Sequence, residues 1–355
     1  MGTTDQSRGS LGILGGGQLG MMSTQAAKKL GIPRVTVWAQ SRAEPAVHVA
    51  DEAIIAPFSD PKALEQFVGT CDFVTTEFEN VPIETVRDVE SIRPMRPSAR
   101  VMSIASNRWL EKRFFQDLGI PTTTTVHIPP GDEPAVTDLM MFPALLKKTT
   151  LGYDGLGQVP VPSPEELSAA HSSLGRQECV LERLVELECE FSIILVRDAG
   201  GTIVVYPPIE NEHANGILRR STWPATRVPE AVGQLAERSA RIAAERMDLV
   251  GIVAFEFMLL ANGGLIINEM APRPHNSGHG TIEGFNVSQF EQHVRVSCGL
   301  PLVQPEPIGP WEMVNLIGLN WEQAQSICKP GNFLHWYNKV GVRPGRKMGH
   351  ITRLL

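Results

Sequence analysis

The sequence lacks the features that mark secreted and membrane-spanning proteins. It has five cysteines, and none forms a CxxC pair, so we expect reduced, buried thiols in a cytoplasmic protein. The polar segment Met1–Ser10 has no apolar stretch of the kind found in secretory signals. No uncharged apolar run reaches the roughly 18 residues that a membrane span needs. The closest candidate, Gly251–Ile267, is interrupted by Glu256.

The sequence also lacks an excess of positive charge. The formal net charge is -7 at pH 7, whereas a nucleic-acid-binding protein usually carries a basic balance or patch, so we expect neither nucleic acid nor a membrane as a partner. The local basic cluster Arg343, Arg346 and Lys347 needs another explanation. A chain of 355 residues with 42% hydrophobic and 20% charged residues is typical of a globular protein of two or three domains.

Strands and helices alternate through the first part of the chain. Strands are predicted at 11–14, 35–39 and 73–76, and helices at 18–30, 61–68 and 83–91. This alternation is typical of a parallel sheet covered on both faces. After Pro94 and Pro97 the pattern changes, and 103–118 is predicted as one long helix.

The segments 188–197 and 203–208 alternate apolar and polar residues, as antiparallel strands do. Strands are predicted at 143–148, from 158, and at 179–182, 188–197, 203–208, 253–260 and 265–270, with helices at 165–174, 230–247 and 287–297. Residues 313–351 are predicted as short strands joined by Gly and Pro turns. The outline is an α/β domain, an α+β body and a small β-rich C-terminal part.

The loop Gly15–Gly20 fits GxGxxG between a strand and a helix. Backbone N–H groups in such a turn can bind a phosphate at the positive end of the helix. A dinucleotide site also needs an acidic residue about 20 positions later, but the second strand ends at Trp38-Ala39-Gln40. NAD is therefore disfavoured, and both tight strand–helix packing and another phosphate ligand stay open.

A predicted strand delivers Lys147, and a glycine-rich turn follows from Gly152 to Gly157. Such a turn can fold N–H groups over a triphosphate while the ammonium acts as a point charge. The segment is not a Walker A loop, because GxxxxGK[ST] is absent. The alternative is an ordinary hairpin with surface lysines.

Glu256 and Glu269 are expected to face each other across a hairpin. If Leu260 and Leu265 close the turn, Met258 faces Ile267 and Glu256 faces Glu269, with Cβ atoms about 5 Å apart. Two carboxylates this close repel unless a proton or a cation lies between them. Magnesium held by carboxylates and substrate phosphates is the natural partner, and the neighbouring Asn268 is a further oxygen donor. The alternative is a solvent-facing edge hairpin with two unrelated acids.

Five segments, in one order across the chain, resemble the 5-(carboxyamino)imidazole ribonucleotide synthase family. They are Gly15–Gly20, Glu77–Val81, Lys147 through Gln158, Asn268–His279 and Arg343–His350. The resemblance implies α/β and α+β architecture with an ATP-grasp fold. A flexible N-terminus (1–10) would precede a Rossmann-like pre-ATP-grasp domain (11–105). An ATP-grasp body (106–300, flexible lid about 122–184) and a small β-rich C-terminal domain (301–355) would follow.

The resemblance also implies a reaction. ATP, bicarbonate and 5-aminoimidazole ribonucleotide would give the N-carboxylated ribonucleotide, ADP and phosphate in purine biosynthesis. Bicarbonate would be phosphorylated first, and the substrate amine would attack carboxyphosphate or the CO2 released from it. Mg2+, with Mn2+ as an alternative ion, and a homodimer are implied. The competing hypotheses are another ATP-grasp ligase, such as the formate-using glycinamide ribonucleotide transformylase type, a non-catalytic nucleotide-binding relative, and a Rossmann oxidoreductase.

Site residues follow from the same resemblance. The ATP-binding residues would be Arg108, Lys147, Gly152, Tyr153, Asp154, Gly155, Leu156, Gly157, Gln158, Glu182, Arg183, Leu184, Val185, Glu190, His213, Asn268 and Glu269. The metal ligands would be Glu256 and Glu269. The catalytic residues would be Tyr153, Asp154, Arg273, His275 and Lys347. The residues that bind the ribonucleotide would be Gly17, Gln18, Leu19, Glu77, Asn276, Ser277, Arg346 and Lys347. Met21 and Leu156 depart from the pattern, since basic residues are usual at both positions.

Overall fold

The computed structural model describes residues 9–131, 134, 136, 138–150, 152 and 157–355. Most of the N-terminus expected to be flexible lies outside the described residues, and so do Tyr153, Asp154, Gly155 and Leu156 of the expected lid. Within the described ranges, no helix has the length and apolar character needed to cross a membrane.

The N-terminal sheet is parallel, as the alternation predicts, with strand order β3-β2-β1-β4. Its elements are β1 (Leu11–Leu14), α1 (Gln18–Lys29), β2 (Val35–Ala39), β3 (Glu52–Ile55), α2 (Pro61–Thr70), β4 (Phe73–Thr76), α3 (Ile83–Glu90) and α4 (Ala99–Ala105). The sequence did not predict β3. Leu11 and Ile13 pack in one hydrophobic cluster with α1, while Leu14 and Trp38 pack in another with α2 and α3. Because both faces are covered, the central strands are continuous apolar runs.

The single helix predicted over 103–118 is wrong, because α4 ends at Ala105 and α5 (Arg108–Asp117) begins anew. Asn107 lies between them with an extended backbone, and its side chain accepts hydrogen bonds from the N–H groups of Trp109 and Leu110 at 2.9 and 3.1 Å. Asparagine favours this N-terminal capping position over a helix interior. The restart fixes which side chains of α5 face the rest of the protein.

A separate antiparallel sheet, here called the lid sheet, follows with strand order β5-β8-β6-β7. Its elements are β5 (Thr125–Ile128), β6 (Ala144–Lys148), β7 (Gln158–Val161), α6 (Leu167–Ser173) and β8 (Cys179–Arg183). Leu146, Leu167 and Leu181 belong to a hydrophobic cluster confined to this unit. The expected lid is therefore a packing unit of its own, and its flexibility stays a prediction.

The body is a large sheet with strand order β14-β13-β9-β11-β12-β15-β17-β16, and β10 pairs with β9. The strands are β9 (Leu187–Arg197), β10 (Ile203–Val205), β11 (Ile209–Ala214), β12 (Ile217–Trp223), β13 (Gly251–Leu260), β14 (Leu265–Ala271), β15 (Trp311–Ile317), β16 (Phe333–Trp336) and β17 (Lys347–Leu354). The helices are α7 (Glu230–Arg246), α8 (Thr281–Gly284), α9 (Gln289–Ser297) and α10 (Trp321–Ile327). Alanines of α7 pack on one face and α9 on the other. The strand predicted at 203–208 stops at Val205, before Pro207 and Pro208.

The C-terminal part differs from the expectation in two ways. Its strands continue the body sheet through pairing of β15 with β12, and it contains the unpredicted helix α10. Asn320 and Gln323 form a reciprocal capping box at the start of α10, which is a sequence signal for a helix. Cys328, expected to be buried, follows α10 and is partly exposed, while the other four cysteines are buried and all five are free.

Candidate active site

Two opposed glutamates lie beside a bulge in the β13–β14 hairpin. Phe257 pairs with Ile267, one residue away from the expected register, and a shift at Asn268 then brings Glu256 opposite Glu269. The prediction that the carboxylates face each other is confirmed, but the Met258–Ile267 pairing behind it is wrong. A bulge adds one residue to one strand, so counting back from the turn misses it.

Each of the two carboxylates has a nitrogen-bearing side chain as its partner. His275 Nε2 lies 3.0 Å from Glu256 Oε1, and Arg108 Nη1 donates to Glu269 Oε2 at 2.7 Å. Although burial would raise the pKa of Glu256, its hydrogen bond with His275 and the charges of His275, His213 and Lys347 lower it to about 2. The Glu256 side chain is only 14% exposed, which argues against the solvent-facing alternative even though β14 is an edge strand.

A cavity of about 110 Å³ lies between the lid sheet and the body. It is lined by residues of both units, namely Thr123, Leu145, Lys147, Glu182, Arg183, Leu184, Val185, Leu187, Met258 and Asn268. The structure thus brings together six of the residues expected to bind ATP. These residues come from segments far apart in sequence, and the connection from β8 to β9 joins the two units.

Lys147 contacts a carboxylate and is not a surface lysine. Its Nζ donates to Glu182 Oε2 at 2.6 Å, and the two side chains are 12% and 5% exposed. Burial would raise the pKa of Glu182, but the charges of Lys112 and Lys147 lower it to about 2. Arg108 reaches the turn after β6 as well, where its Nη2 donates to the Gly152 carbonyl at 3.1 Å. The ordinary-hairpin alternative is therefore excluded for Lys147.

Glu190 and His213 form a further pair on neighbouring strands of the body sheet. His213 Nδ1 lies 2.8 Å from Glu190 Oε2. Burial lowers the pKa of His213, but the hydrogen bond to Glu190 and the charges of Glu256 and Glu269 raise it above its usual value. The expected ribose-binding residue and the expected nucleotide-side histidine are therefore adjacent, within electrostatic reach of the opposed carboxylates.

The loop after β14 is fixed by polar contacts to two other parts of the chain. Arg273 Nε and Nη2 donate to the Glu79 carboxylate, and Nη1 donates to the Pro274 carbonyl. Ser277 Oγ lies 2.8 Å from His275 Nδ1 and donates to Ser192 Oγ at 3.0 Å. The Asn276 amide is different, since neither of its polar atoms has a hydrogen-bond partner in the described structure although both are buried. Such an amide gains from a ligand that bonds to it.

The glycine loop uses its N–H groups within the protein. Gly17 and Gly20 donate to the two oxygens of Glu77 at 2.7 and 3.1 Å, and Gly16 donates to Glu44 at 3.0 Å. Burial raises the pKa of Glu77, against the lowering effect of those two N–H groups. Of the two possibilities left open, tight packing with internal carboxylates is the one seen. That Gly17 binds the ribonucleotide stays a prediction, and its N–H donates to Glu77 in this structure.

Four more residues are expected to bind the ribonucleotide, namely Gln18, Leu19, Arg346 and Lys347. Leu19 is 6% exposed and packs in the core, so only its main chain is left for a ligand, while the neighbouring Gln18 begins α1. Arg346 Nη1 donates to the carbonyls of Val340 and Gly341, which commits that nitrogen to its own loop. Lys347 lies at the start of β17, and its charge contributes to the low pKa of Glu256.

Sequence reasoning missed three charged residues of the site: Glu79, Glu111 and Lys112. Glu79 lies in a segment that was noticed, and its bond to Arg273 lowers its pKa to about 2 against the raising effect of burial. Glu111 and Lys112 are 2% and 1% exposed. Consecutive charged residues on a helix usually face solvent, so no sequence signal pointed to their burial.

The chain is similar to known proteins over nearly its whole length. Three family models match in order: the Ribonucleotide synthetase preATP-grasp domain over residues 9–106, the ATP-grasp domain over 113–290 and the Phosphoribosylaminoimidazole carboxylase C-terminal domain over 312–355. The N5-carboxyaminoimidazole ribonucleotide synthase of Brucella melitensis biotype 1 is 38% identical over 97% of this chain and 96% of its own. That of Pseudomonas aeruginosa is 39% identical over 96% of this chain and 93% of its own.

Solved structures are also similar to this chain over nearly its whole length. An ADP complex of N5-carboxyaminoimidazole ribonucleotide synthetase has a TM-score of 0.92 at 37% identity, covering 98% of this chain and 93% of that chain. The Aspergillus clavatus synthase with ADP and 5-aminoimidazole ribonucleotide has a TM-score of 0.86 at 29% identity, covering 98% and 94%. The expected ATP-grasp fold with its pre-ATP-grasp and C-terminal domains is confirmed. The chain therefore belongs to the N5-carboxyaminoimidazole ribonucleotide synthase family of ATP-grasp ligases.

Proposed function

We propose that this chain catalyses the ATP-dependent carboxylation of 5-aminoimidazole ribonucleotide with bicarbonate, giving N5-carboxyaminoimidazole ribonucleotide, ADP and phosphate in purine biosynthesis. The observation that carries the proposal is one cluster of side chains in a member of this family. Glu256 and Glu269 lie opposite each other. Glu269 contacts Arg108, which is expected to bind the nucleotide, and Glu256 contacts His275 in the loop that also carries Arg273. Phosphoryl donor and acceptor can therefore meet at the hairpin.

ATP would lie in the cavity between the lid sheet and the body. The backbone of Glu182–Val185 lines this cavity and would read the adenine, while Glu190 would accept hydrogen bonds from the ribose. Arg108 contacts the Gly152 carbonyl in the turn after β6, Lys147 lines the cavity, and both would neutralise phosphate charge. The family's lid residues from Gly152 to Gln158 would close over the phosphates and limit access of water.

Magnesium fits the donor set of the hairpin. Glu256 and Glu269 supply carboxylate oxygens, Asn268 is a neighbouring amide, and the described residues hold no group of three or more metal-binding side chains. Two carboxylates completed by nucleotide phosphates are the usual magnesium arrangement, and Mn2+ would be accepted by the same oxygens. When bound, the ion supplies positive charge against the transferring phosphoryl group.

The protein's own groups would position the two chemical steps. Arg273 and His275 would hold bicarbonate while one of its oxygens attacks the γ-phosphorus of ATP, releasing ADP and forming carboxyphosphate. The exocyclic amine of the ribonucleotide would then attack the carboxyl carbon of carboxyphosphate or of the CO2 released from it, with loss of phosphate and one amine proton. His275 is fixed through Glu256 and Ser277, which orients its ring. Lys347 and the Asn276 amide are further contacts for the ribonucleotide.

Steady-state ADP release tests the proposal. With Mg·ATP, we expect release that requires 5-aminoimidazole ribonucleotide and bicarbonate together, and 13C-bicarbonate should label the carboxylated product. Glycinamide ribonucleotide with formate is the control for the transformylase alternative. ADP release with that pair, or ATP binding without turnover under any pair, would refute the assignment. The homodimer and the cytoplasmic location stay predictions, and sedimentation of the purified chain measures the first of them.

A further inference from the structure

Helix α5 holds three consecutive residues of the bulged strand that carries Glu269. The contacts are Lys112 Nζ to the Asn268 carbonyl at 2.5 Å, Arg108 Nη1 to Glu269 Oε2 at 2.7 Å, and the Met270 N–H to Glu111 Oε1 at 2.5 Å. Arg108 is already expected to bind the nucleotide. Lys112 and Glu111 have no such role, and both are almost completely buried. A buried lysine is unusual unless something specific requires its charge.

Lys112 and Lys147 share one carboxylate. Lys112 Nζ lies 3.4 Å from Glu182 Oε1, and Lys147 Nζ lies 2.6 Å from Glu182 Oε2. The Lys112 side chain is 2% exposed and the Lys147 side chain 12%. Lys112 belongs to α5 and is tied to the hairpin through Asn268. Lys147 is on β6 of the lid sheet, the strand that precedes the turn expected to cover the phosphates, and lines the nucleotide cavity.

Binding of nucleotide phosphates would draw the Lys147 ammonium away from Glu182. A buried carboxylate that loses its counter-ion is strongly disfavoured, so with Lys147 as its sole partner Glu182 would resist the change. Lys112 supplies a second positive charge that is fixed in the body. The same ammonium binds the carbonyl at the bulge, which is the irregularity that brings Glu269 opposite Glu256.

We propose that Lys112 is a positioning residue of the nucleotide site, which neutralises Glu182 so that Lys147 can bind nucleotide phosphates and fixes the Asn268 bulge that orients Glu269. This inference rests on the proposed function, because it assigns Lys147 to the phosphates. It predicts a specific coupling between Lys112 and Glu182, whereas a purely structural lysine would affect stability alone.

Direct binding of Mg·ADP by calorimetry tests the coupling. We expect Lys112→Met to weaken ADP binding roughly 10- to 100-fold, since one buried charge interaction is then lost on binding. In the double variant Lys112→Met with Glu182→Gln, Lys147 no longer has a carboxylate to neutralise, so affinity should recover to within about threefold of Glu182→Gln alone. Arg113→Met is the matched control, because Arg113 is the next residue on α5 and is exposed; it should bind as the parent chain does.

Kinetics give the second measurement. Lys112→Met should raise KM for ATP and leave KM for the ribonucleotide within about twofold, since a single site is perturbed. Lys112→Gln, which keeps a donor for the Asn268 carbonyl without the charge, should show the same loss of ADP affinity if Lys112→Met does not fold. Equal ADP affinity of the Lys112 variants and the parent chain, or a double variant no better than Lys112→Met, would overturn the inference. A parent chain that binds no nucleotide would instead overturn the proposed function.

Discussion

Replacing Glu269 with glutamine should remove turnover while leaving the fold intact. Glutamine keeps the size of the side chain and one oxygen acceptor, but it removes the negative charge that faces Glu256 across the bulge. Arg108, which donates to Glu269 at 2.7 Å, keeps its second contact with the Gly152 carbonyl. The substitution therefore changes charge at the hairpin with little change in packing.

The expected effects on stability and on rate differ in size. The Glu269 side chain is 37% exposed and that of Arg108 is 19% exposed, and a pair open to solvent on one side contributes about 1 kcal/mol or less to folding. Loss of a single charged or polar group aimed at developing charge typically lowers kcat about 10²- to 10³-fold, or roughly 3–4 kcal/mol. Turnover should therefore fall far more than stability does.

The assay compares ADP release and thermal unfolding of the same preparations. Glu237→Gln is the matched control, because Glu237 pairs with Arg241 on the surface of α7 with side chains 40% and 39% exposed. We expect the two variants to unfold within a few degrees of the parent chain, with only Glu269→Gln inactive. Turnover of Glu269→Gln within about threefold of the parent rate would refute its role as a metal ligand. A large loss of stability would instead show that the Arg108 pair holds the fold.

Three further predictions concern the contacts that join the domains. Arg273→Lys loses the bidentate hydrogen bond to Glu79, so the free energy of unfolding in urea should fall by about 1–2 kcal/mol. An unchanged unfolding midpoint would show that this contact does not stabilise the fold. The lowered pKa of Glu79, about 2 against a usual 4.5, stabilises the fold above pH 4.5, and this stability is lost as pH falls toward 2. Glu79→Gln should lose less stability than the parent chain between pH 5 and 3. Parallel curves of stability against pH for the two proteins would contradict this role of Glu79. Gly280→Ala places a Cβ 2.3 Å from the Trp311 ring and should cost at least about 2 kcal/mol, whereas Gly69→Ala, with nothing within 4 Å, should not destabilise.

The hairpin shows how far counting along a sequence can go. Alternation and the position of the turn predicted that Glu256 faces Glu269, and the structure has that pair. The predicted pairs nearer the turn were shifted by one residue along β13. The bulge at Asn268 compensates for this shift, so that Glu256 still pairs with Glu269. Lys112 holds the carbonyl of the bulge from 156 positions away, so the bulge depends on tertiary contacts that local pattern does not contain.

The glycine loop is a second instance. Its GxGxxG pattern correctly predicted a tight turn between β1 and α1, but pattern alone left the partner of its N–H groups undecided. The structure gives those groups to Glu77 and Glu44. Either a ligand anion or a protein carboxylate satisfies the positive end of a helix, and only the folded chain decides which one is present.

The sequence by itself determined most of the strand–helix order of the N-terminal domain, the β13–β14 hairpin with one glutamate on each strand, and the ordered segments that identify the family. These features depend on residues close together in the chain or on the order of motifs. Tertiary structure alone decided that Glu111 and Lys112 are buried, that Glu182 lies between two lysines, and that Glu79 holds Arg273. Charge interactions and desolvation depend on distance in space, and the partners in these contacts come from distant segments that only folding brings together.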